Sequence, residues 1–313
     1  MSSLKEIKSR IASVKSTLKI TSAMKMVASA KLHKAQAAIG NKLPYEQKLR
    51  RILAGMLQDD DFQDVLRSEL GFGSQSRSAV YLQDVGMETI LSKEEAPRVA
   101  LVVFSSNSSL IGAFNANIIR KFHETLRLLG KNGYSPDDID VYTVGKKVTE
   151  ASEKAGYRPF AVLDDLADKP DYEKASGLAS ELVDRFSEGE VSQVILLYNH
   201  FASMSSQPSV RENYLPLAMH DLDEGAEPVD YILEPDPISL VKSLLPMVLM
   251  LKIYTVALDA SAAEHAARTV AMQVASDNAS DLIAELTLAY NKGRQQEITA
   301  EILDLVGGMQ AGS

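Results

Sequence analysis

Residues 4–39 read LKEIKSRIASVKSTLKITSAMKMVASAKLHKAQAAI, and their spacing decides the fold. Leu4, Ile7, Ile11, Val14, Leu18, Thr21, Lys25, Ala28, Leu32, Ala35 and Ile39 succeed one another at alternating steps of three and four. That is the a/d seam of a coiled coil. Lys5, Lys8, Arg10, Lys15, Lys19, Lys31 and Lys34 stand between the seam positions, so an apolar stripe runs inside a basic surround. The stripe requires a partner helix. Its large aliphatics would each contribute about 1.5–3 kcal/mol on full burial, against roughly 0–1 kcal/mol for a surface ion pair.

The other end of the chain supplies that partner. From Ile238 to about Met309 the sole Pro is Pro246 and the first Gly is Gly293, and strong helix formers dominate. Apolar residues recur at Leu244, Val248, Leu251, Leu258, Ala262, Ala266, Val270, Val274, Leu282, Leu286, Ile298, Ile302 and Leu305. As one helix this segment would be on the order of 100 Å long, and the first helix, to about Leu57, roughly 80 Å. An antiparallel coiled coil joining the two termini buries both stripes most simply. Pro44 falls inside the first helix and ends or kinks it.

Charge is segregated along the chain. Residues 1–51 carry twelve Lys/Arg against two Asp/Glu, and the remainder 21 against 40, within a net charge of −9. The concentrated basic excess points to an acidic partner, either nucleic acid or an acidic protein surface. There is no Cys, so disulfides and thiolate metal sites are excluded, which fits a reducing compartment. MSSLKEIKSR lacks the apolar core of a signal peptide. The longest apolar run, Leu244 to Leu251, is too short to span a bilayer, so a soluble chain is expected, able to dock onto a membrane complex.

Five segments are expected: an N-terminal coiled-coil helix (1–57), a loop-rich insertion (58–97), a central α/β domain (98–217), an acidic linker (218–237) and a C-terminal coiled-coil helix (238–313). Within the central domain, strands are expected at 98–104, 139–144, 160–163 and 191–198, and helices at 114–129, 145–155 and 172–186. One or two further strands over 208–217 would form an antiparallel edge. This alternation gives a Rossmann-like, mostly parallel sheet covered on both faces.

Chemistry within the chain is sparse. Ser105 to Asn115 joins a strand to a helix, where phosphate loops occur, but it has a single Gly112 and no Lys; helix caps explain it as well. His33, His123, His200, His220 and His265 have no metal-ligand spacing, and no GxSxG is present. Asp137-Asp138 and Asp164-Asp165 read as solvated turn residues. Gly293, in the polar run Tyr290 to Gln296, weakens a helix by about 1 kcal/mol relative to Ala and so suggests a close contact.

Residues 7–32, IKSRIASVKSTLKITSAMKMVASAKL, resemble the N-terminal helix of ATP synthase gamma subunits. So do EHAARTVAM (264–272), DNA (277–279), LTLAYNKGRQ (286–295), ITAEI (298–302) and VGG (306–308) at the other end. The resemblance covers both ends closely and the middle in outline. It implies a rotor shaft with no catalysis and no cofactor of its own. The shaft would stand in a ring of three α and three β subunits, with its α/β domain seated alongside epsilon on the c ring. It would couple transmembrane ion flow through the c ring to ATP synthesis or hydrolysis at the α/β sites. The complex would sit at the cell inner membrane, with this chain peripheral on the cytoplasmic side. The family's stator-contact positions map to Met24, Lys25, Arg268, Gln295, Thr299 and Glu301. Two departures stand out. SSLIGAFN (108–115) replaces the family's usual Arg-Gly-Leu turn, and 58–97 is longer than expected of bacterial relatives. Without Cys, the thiol regulation of chloroplast members is excluded.

Overall fold

The computed structural model describes residues 4–57, 82–83, 90–91, 93–94, 97–218, 234 and 236–310. The chain divides into two compact units: residues 1–30 with 268–313, and residues 31–267. Two helices contribute to both, α1 (Leu4–Leu57) and the last helix, Pro237–Gln310, called α6 below. Pro44 and Pro246 lie inside these helices and interrupt neither.

The larger unit is built on a sheet. Its elements are β2 (Val99–Phe104), α2 (Phe114–Lys131), β3 (Ile139–Val144), α3 (Lys146–Lys154), β4 (Ala161–Val162), α4 (Asp164–Asp168), α5 (Tyr172–Ser187), β5 (Gln193–Asn199) and β6 (Ser209–Leu215). The strand order is β4-β3-β2-β5-β6, parallel throughout except for the antiparallel edge strand β6. A separate two-stranded parallel ladder pairs β1 (Leu82–Gln83) with β7 (Leu217–Ala218). Most of the 58–97 insertion and of the acidic linker lies outside the described residues.

Successive strand residues point to opposite faces, and the two cores divide accordingly. Ala100, Val102 and Phe104 join Leu178, Leu182 and Phe186 of α5, Leu49 and Leu53 of α1, and Leu245, Val248 and Leu249 of α6. Val99, Leu101 and Val103 join Ile118, Phe122, Leu126 and Leu129 of α2. Every residue of β2, β3 and β5 is buried, as a parallel sheet covered on both faces requires. On α1 and α6, Leu32 and Ala35 meet Ala262 and Ala266; the alanines permit close helix approach.

Two acidic pairs are more than solvated turns. Asp164 and Asp165 open α4, where carboxylates suit the positive end of the helix dipole. Asp138 closes a short 3-10 turn, accepting from the Ser135 backbone N–H at 2.7 Å and from Lys93 Nζ at 2.6 Å. The Lys93 contact, then Ser135, holds the Asp138 carboxyl well below the usual range.

The smaller unit is an antiparallel helix pair. Leu4 of α1 lies against Gly293 of α6, where a Cβ would stand 2.8 Å from Leu4 Cδ2. That is the close contact expected of Gly293. Further along, the Thr21 and Ser276 hydroxyls share a buried hydrogen bond of 2.8 Å.

The seam of this pair differs from expectation in two ways. Leu4, Ile7, Ile11, Val14 and Leu18 are half-buried, whereas Thr21 and Ala28 are buried. A two-helix coil covers each seam residue from one side, so small side chains disappear and large ones do not. On α6 the inward positions are Met272, Ser276, Ala279, Ile283, Leu286, Tyr290 and Gly293, a heptad that mixes small and polar residues. Val270, Val274, Leu282, Ile298 and Ile302, read from sequence as seam, are exposed.

Candidate partner-contact surface

The smaller unit presents an unusual amount of open apolar surface. Ile20, Met26 and Val27 of α1 are exposed, as are Val270, Val274, Leu282, Leu288, Ile298, Ile302 and Leu303 of α6. Leu288 keeps 74% of its surface exposed and Leu303 65%, values a core-facing leucine never has. α6 therefore carries two apolar stripes, one spent on α1 and one open. Lys5, Lys8, Arg10, Lys15 and Lys19 are exposed on the same unit. Open apolar residues in such number are unusual on a surface that stands in water.

The six positions singled out from sequence fall at separate levels of this unit. Met24 and Lys25 are half-buried; Lys25 Nζ donates to Gln273 Oε1 at 2.8 Å, and Gln273 Nε2 donates to Asp277 Oδ1 at 2.8 Å. Gln273 and Asp277 extend the level of Lys25 into a polar chain; sequence reading missed Gln273 because it sits outside any charge cluster. Arg268 is half-buried, five residues before Gln273. Gln295, Thr299 and Glu301 are exposed. Thr299 Oγ1 donates to the Gln295 carbonyl at 2.8 Å, and both line an open depression with Lys292, Gln296, Ala300 and Leu303. Glu301, two residues beyond Thr299, lies on a different face of the helix. Gln295 stands 22 residues beyond Gln273, about 33 Å along the axis. The positions thus form a level around Lys25–Gln273 and a second around Gln295–Thr299, past Leu4, the first described residue of α1.

In the larger unit, the turn after β2 does not cap the helix that follows it, since Ala113 stands at the N-cap of α2 and makes no side-chain cap bond; Ser105 and Asn107 cap α3 instead. Ser105 Oγ accepts from the Val148 N–H and donates to the Gly145 carbonyl, both at 3.0 Å. Asn107 Oδ1 accepts from the Lys146 N–H at 3.0 Å. These side chains satisfy the first backbone N–H groups of α3, the helix after the neighbouring strand β3. Gly145 has φ +101, and a Cβ there would stand 2.5 Å from the Ser105 carbonyl oxygen, so the closeness of the two loops requires glycine. The crevice where strand order reverses, between the ends of β2 and β5, is filled from within the chain. Ile111, Phe114 and Ala263 pack together there, with Phe201 and Ala267 alongside. This is the place where such sheets bind ligands, and here α6 occupies it.

α6 also contains a window apolar enough to cross a membrane by length and composition; half of that window is buried within the fold.

Comparison with known proteins agrees with this picture. The family model described as ATP synthase matches residues 3–311. An ATP synthase gamma chain from Bacteroides fragilis is 49% identical over 319 residues, covering 99% of this chain and 100% of the relative. One from Phocaeicola vulgatus is 48% identical over 315 residues with the same coverage. Among solved structures, a chain of the Euglena gracilis mitochondrial ATP synthase OSCP/F1/c-ring assembly aligns at TM-score 0.60 and 18% identity, over 98% of this chain and 94% of that one. A chain of the rotor of the same enzyme aligns at TM-score 0.57 and 19% identity, over 94% and 98%. The family model and these gamma chains match the chain over almost its whole length, and it belongs to the ATP synthase gamma chain family.

Proposed function

We propose that the open stripe of the helix pair is the surface on which a surrounding ring of three α and three β subunits bears, with Met24, Lys25, Arg268, Gln295, Thr299 and Glu301 as contact positions. As a gamma chain, the protein is the central-stalk rotor of ATP synthase and a non-catalytic subunit. It is peripheral to a membrane-associated complex; the cytoplasmic side of the cell inner membrane is the side we assign. Epsilon and the c ring are the partners proposed for the α/β unit. In this reading 1–57 and 238–313 serve as shaft, 98–217 as foot, and 58–97 and 218–237 as insertion and linker.

The observation that carries the reading is the second apolar stripe of α6, exposed from Val270 to Leu303 beside the polar residues of both levels. The mechanism is linkage. A shaft with different side chains around its circumference contacts one β conformation better than the others. Rotation therefore changes which of three sites holds ADP, phosphate or ATP most tightly. Protons moving through the c ring drive the rotation, and this chain transmits it without making or breaking a bond.

Arg268→Ala and Gln295→Ala test the contact levels. Each should weaken coupling of proton movement to ATP synthesis in membrane vesicles while leaving nucleotide chemistry at the α/β sites intact. Unchanged ATP synthesis in both would remove these positions from the surface. A tagged pull-down from gently solubilised membranes, counted by mass spectrometry, tests the partners; absence of α, β, epsilon and c would overturn the assignment.

A further inference from the structure

We propose that polar groups in the core of the α/β unit, Tyr198 and Glu212 of the sheet bonded to Lys252 of α6, are the joint that passes torque between the sheet and that shaft helix. The inference rests on the rotor reading and adds residues to it.

Glu46 and Glu212 are each 4% exposed, unusual for carboxylates in an otherwise apolar core. Glu46 pairs with Arg50 one turn on, at 3.4 Å. Tyr198 on β5 donates its hydroxyl to Glu212 Oε2 at 2.9 Å. Lys252 Nζ stands 2.5 Å from the other Glu212 oxygen. Burial, then the negative charges of Glu212, Asp259 and Glu46, push the Tyr198 hydroxyl far above its ordinary value, so it remains a donor throughout the physiological range. Two further contacts hold α6, one on β6 and one on the loop after β5. Tyr214 of β6 donates to the Leu249 carbonyl at 3.0 Å. Asp259 accepts from the Phe201 N–H at 3.0 Å and meets His200 Nδ1 at 2.7 Å. Positions 249, 252 and 259 span about 15 Å of helix, so α6 is fixed at three levels.

Such groups are poorly explained by stability. A buried ion pair is often no better than apolar residues of the same volume. What it supplies is direction. Apolar packing scales with area and discriminates weakly between neighbouring registers, whereas a hydrogen-bonded ion pair fixes one distance and one angle. The chain passes between its two units at Ala30–Lys31 and Ala267–Arg268, within α1 and α6.

The test uses the complete membrane-bound complex. Glu212→Gln combined with Lys252→Met removes both charges at similar volume and leaves no lone buried charge. The expected result is an assembled complex with near-parental ATP hydrolysis, whose proton pumping per ATP hydrolysed falls about fivefold, the lower end of ordinary coupling energies. Lys252→Arg, which keeps the charge, should restore most of the ratio. A double variant that assembles and pumps at the parental ratio overturns the joint. Should the double variant not assemble, Tyr198→Phe decides: a lowered ratio supports the joint, and an unchanged one overturns it. A parental complex that hydrolyses ATP but never pumps would overturn the rotor reading instead, and so the two failures are distinguishable.

Discussion

The two units of this chain spend apolar residues in opposite ways. In the α/β unit, valines, leucines and isoleucines of β2, β3 and β5 are buried to the last residue, and helices close both faces of the sheet. In the helix pair, five large aliphatics of the α1 seam are half-buried, and a second stripe on α6 is open. One unit is closed on itself, as a stable foundation must be. The other leaves much of its apolar surface exposed.

Truncation of a core residue should expose the difference most strongly. Leu196→Ala, in the middle of β5, should cost about 3–4 kcal/mol by chemical denaturation of the α/β unit, while Leu18→Ala in the helix pair should cost about 1 kcal/mol. Similar losses would mean that the helix pair is as self-sufficient as the sheet. The glycines sharpen the same contrast. Gly145→Ala meets backbone at a positive φ and should destabilise by about 2 kcal/mol. Gly293→Ala gains about 1 kcal/mol of helix propensity and meets only the tip of Leu4, so its net effect should be near zero.

Alkaline titration should affect the closed unit alone. Burial raises the pKa of Tyr142, Tyr198 and Tyr214 above the ordinary tyrosine value of 10.0. The folded state therefore holds these protons more tightly than the unfolded chain. Stability should be intact below about pH 10 and fall as pH rises beyond it. Tyr198→Phe should lessen that slope in pH-dependent unfolding; an unchanged slope would move the effect to the other two tyrosines. A small effect also belongs to the buried hydroxyl pair of the seam. Thr21→Val should cost roughly 0.5–1 kcal/mol through its lost bond to Ser276, with assembly into the complex as a second readout.

Much of the closed unit was legible in the chain. Continuous apolar runs marked β2, β3 and β5, amphipathic repeats marked α2 and α5, and only the ends moved by one or two residues. The short helix at Asp164–Asp168 was not legible, because two adjacent carboxylates suit a turn and a helix start equally. Of the partner surface, the polar levels were found through family resemblance, and Gln273 was not found at all.

Sequence by itself determined the two terminal helices, their antiparallel pairing, the α/β order between them and the segregation of charge. All four follow from periodicity and composition, which are local properties. Tertiary structure alone decided which stripe of α6 faces α1. Ser276, Ala279 and Gly293 turn inward while Val274 and Leu282 stay outside, because close helix approach selects small side chains over hydrophobic ones. It also decided that α6 closes the crevice at the end of β2 and β5, since only packing brings Ala263 to Ile111 and Phe114, some 150 residues away in the chain.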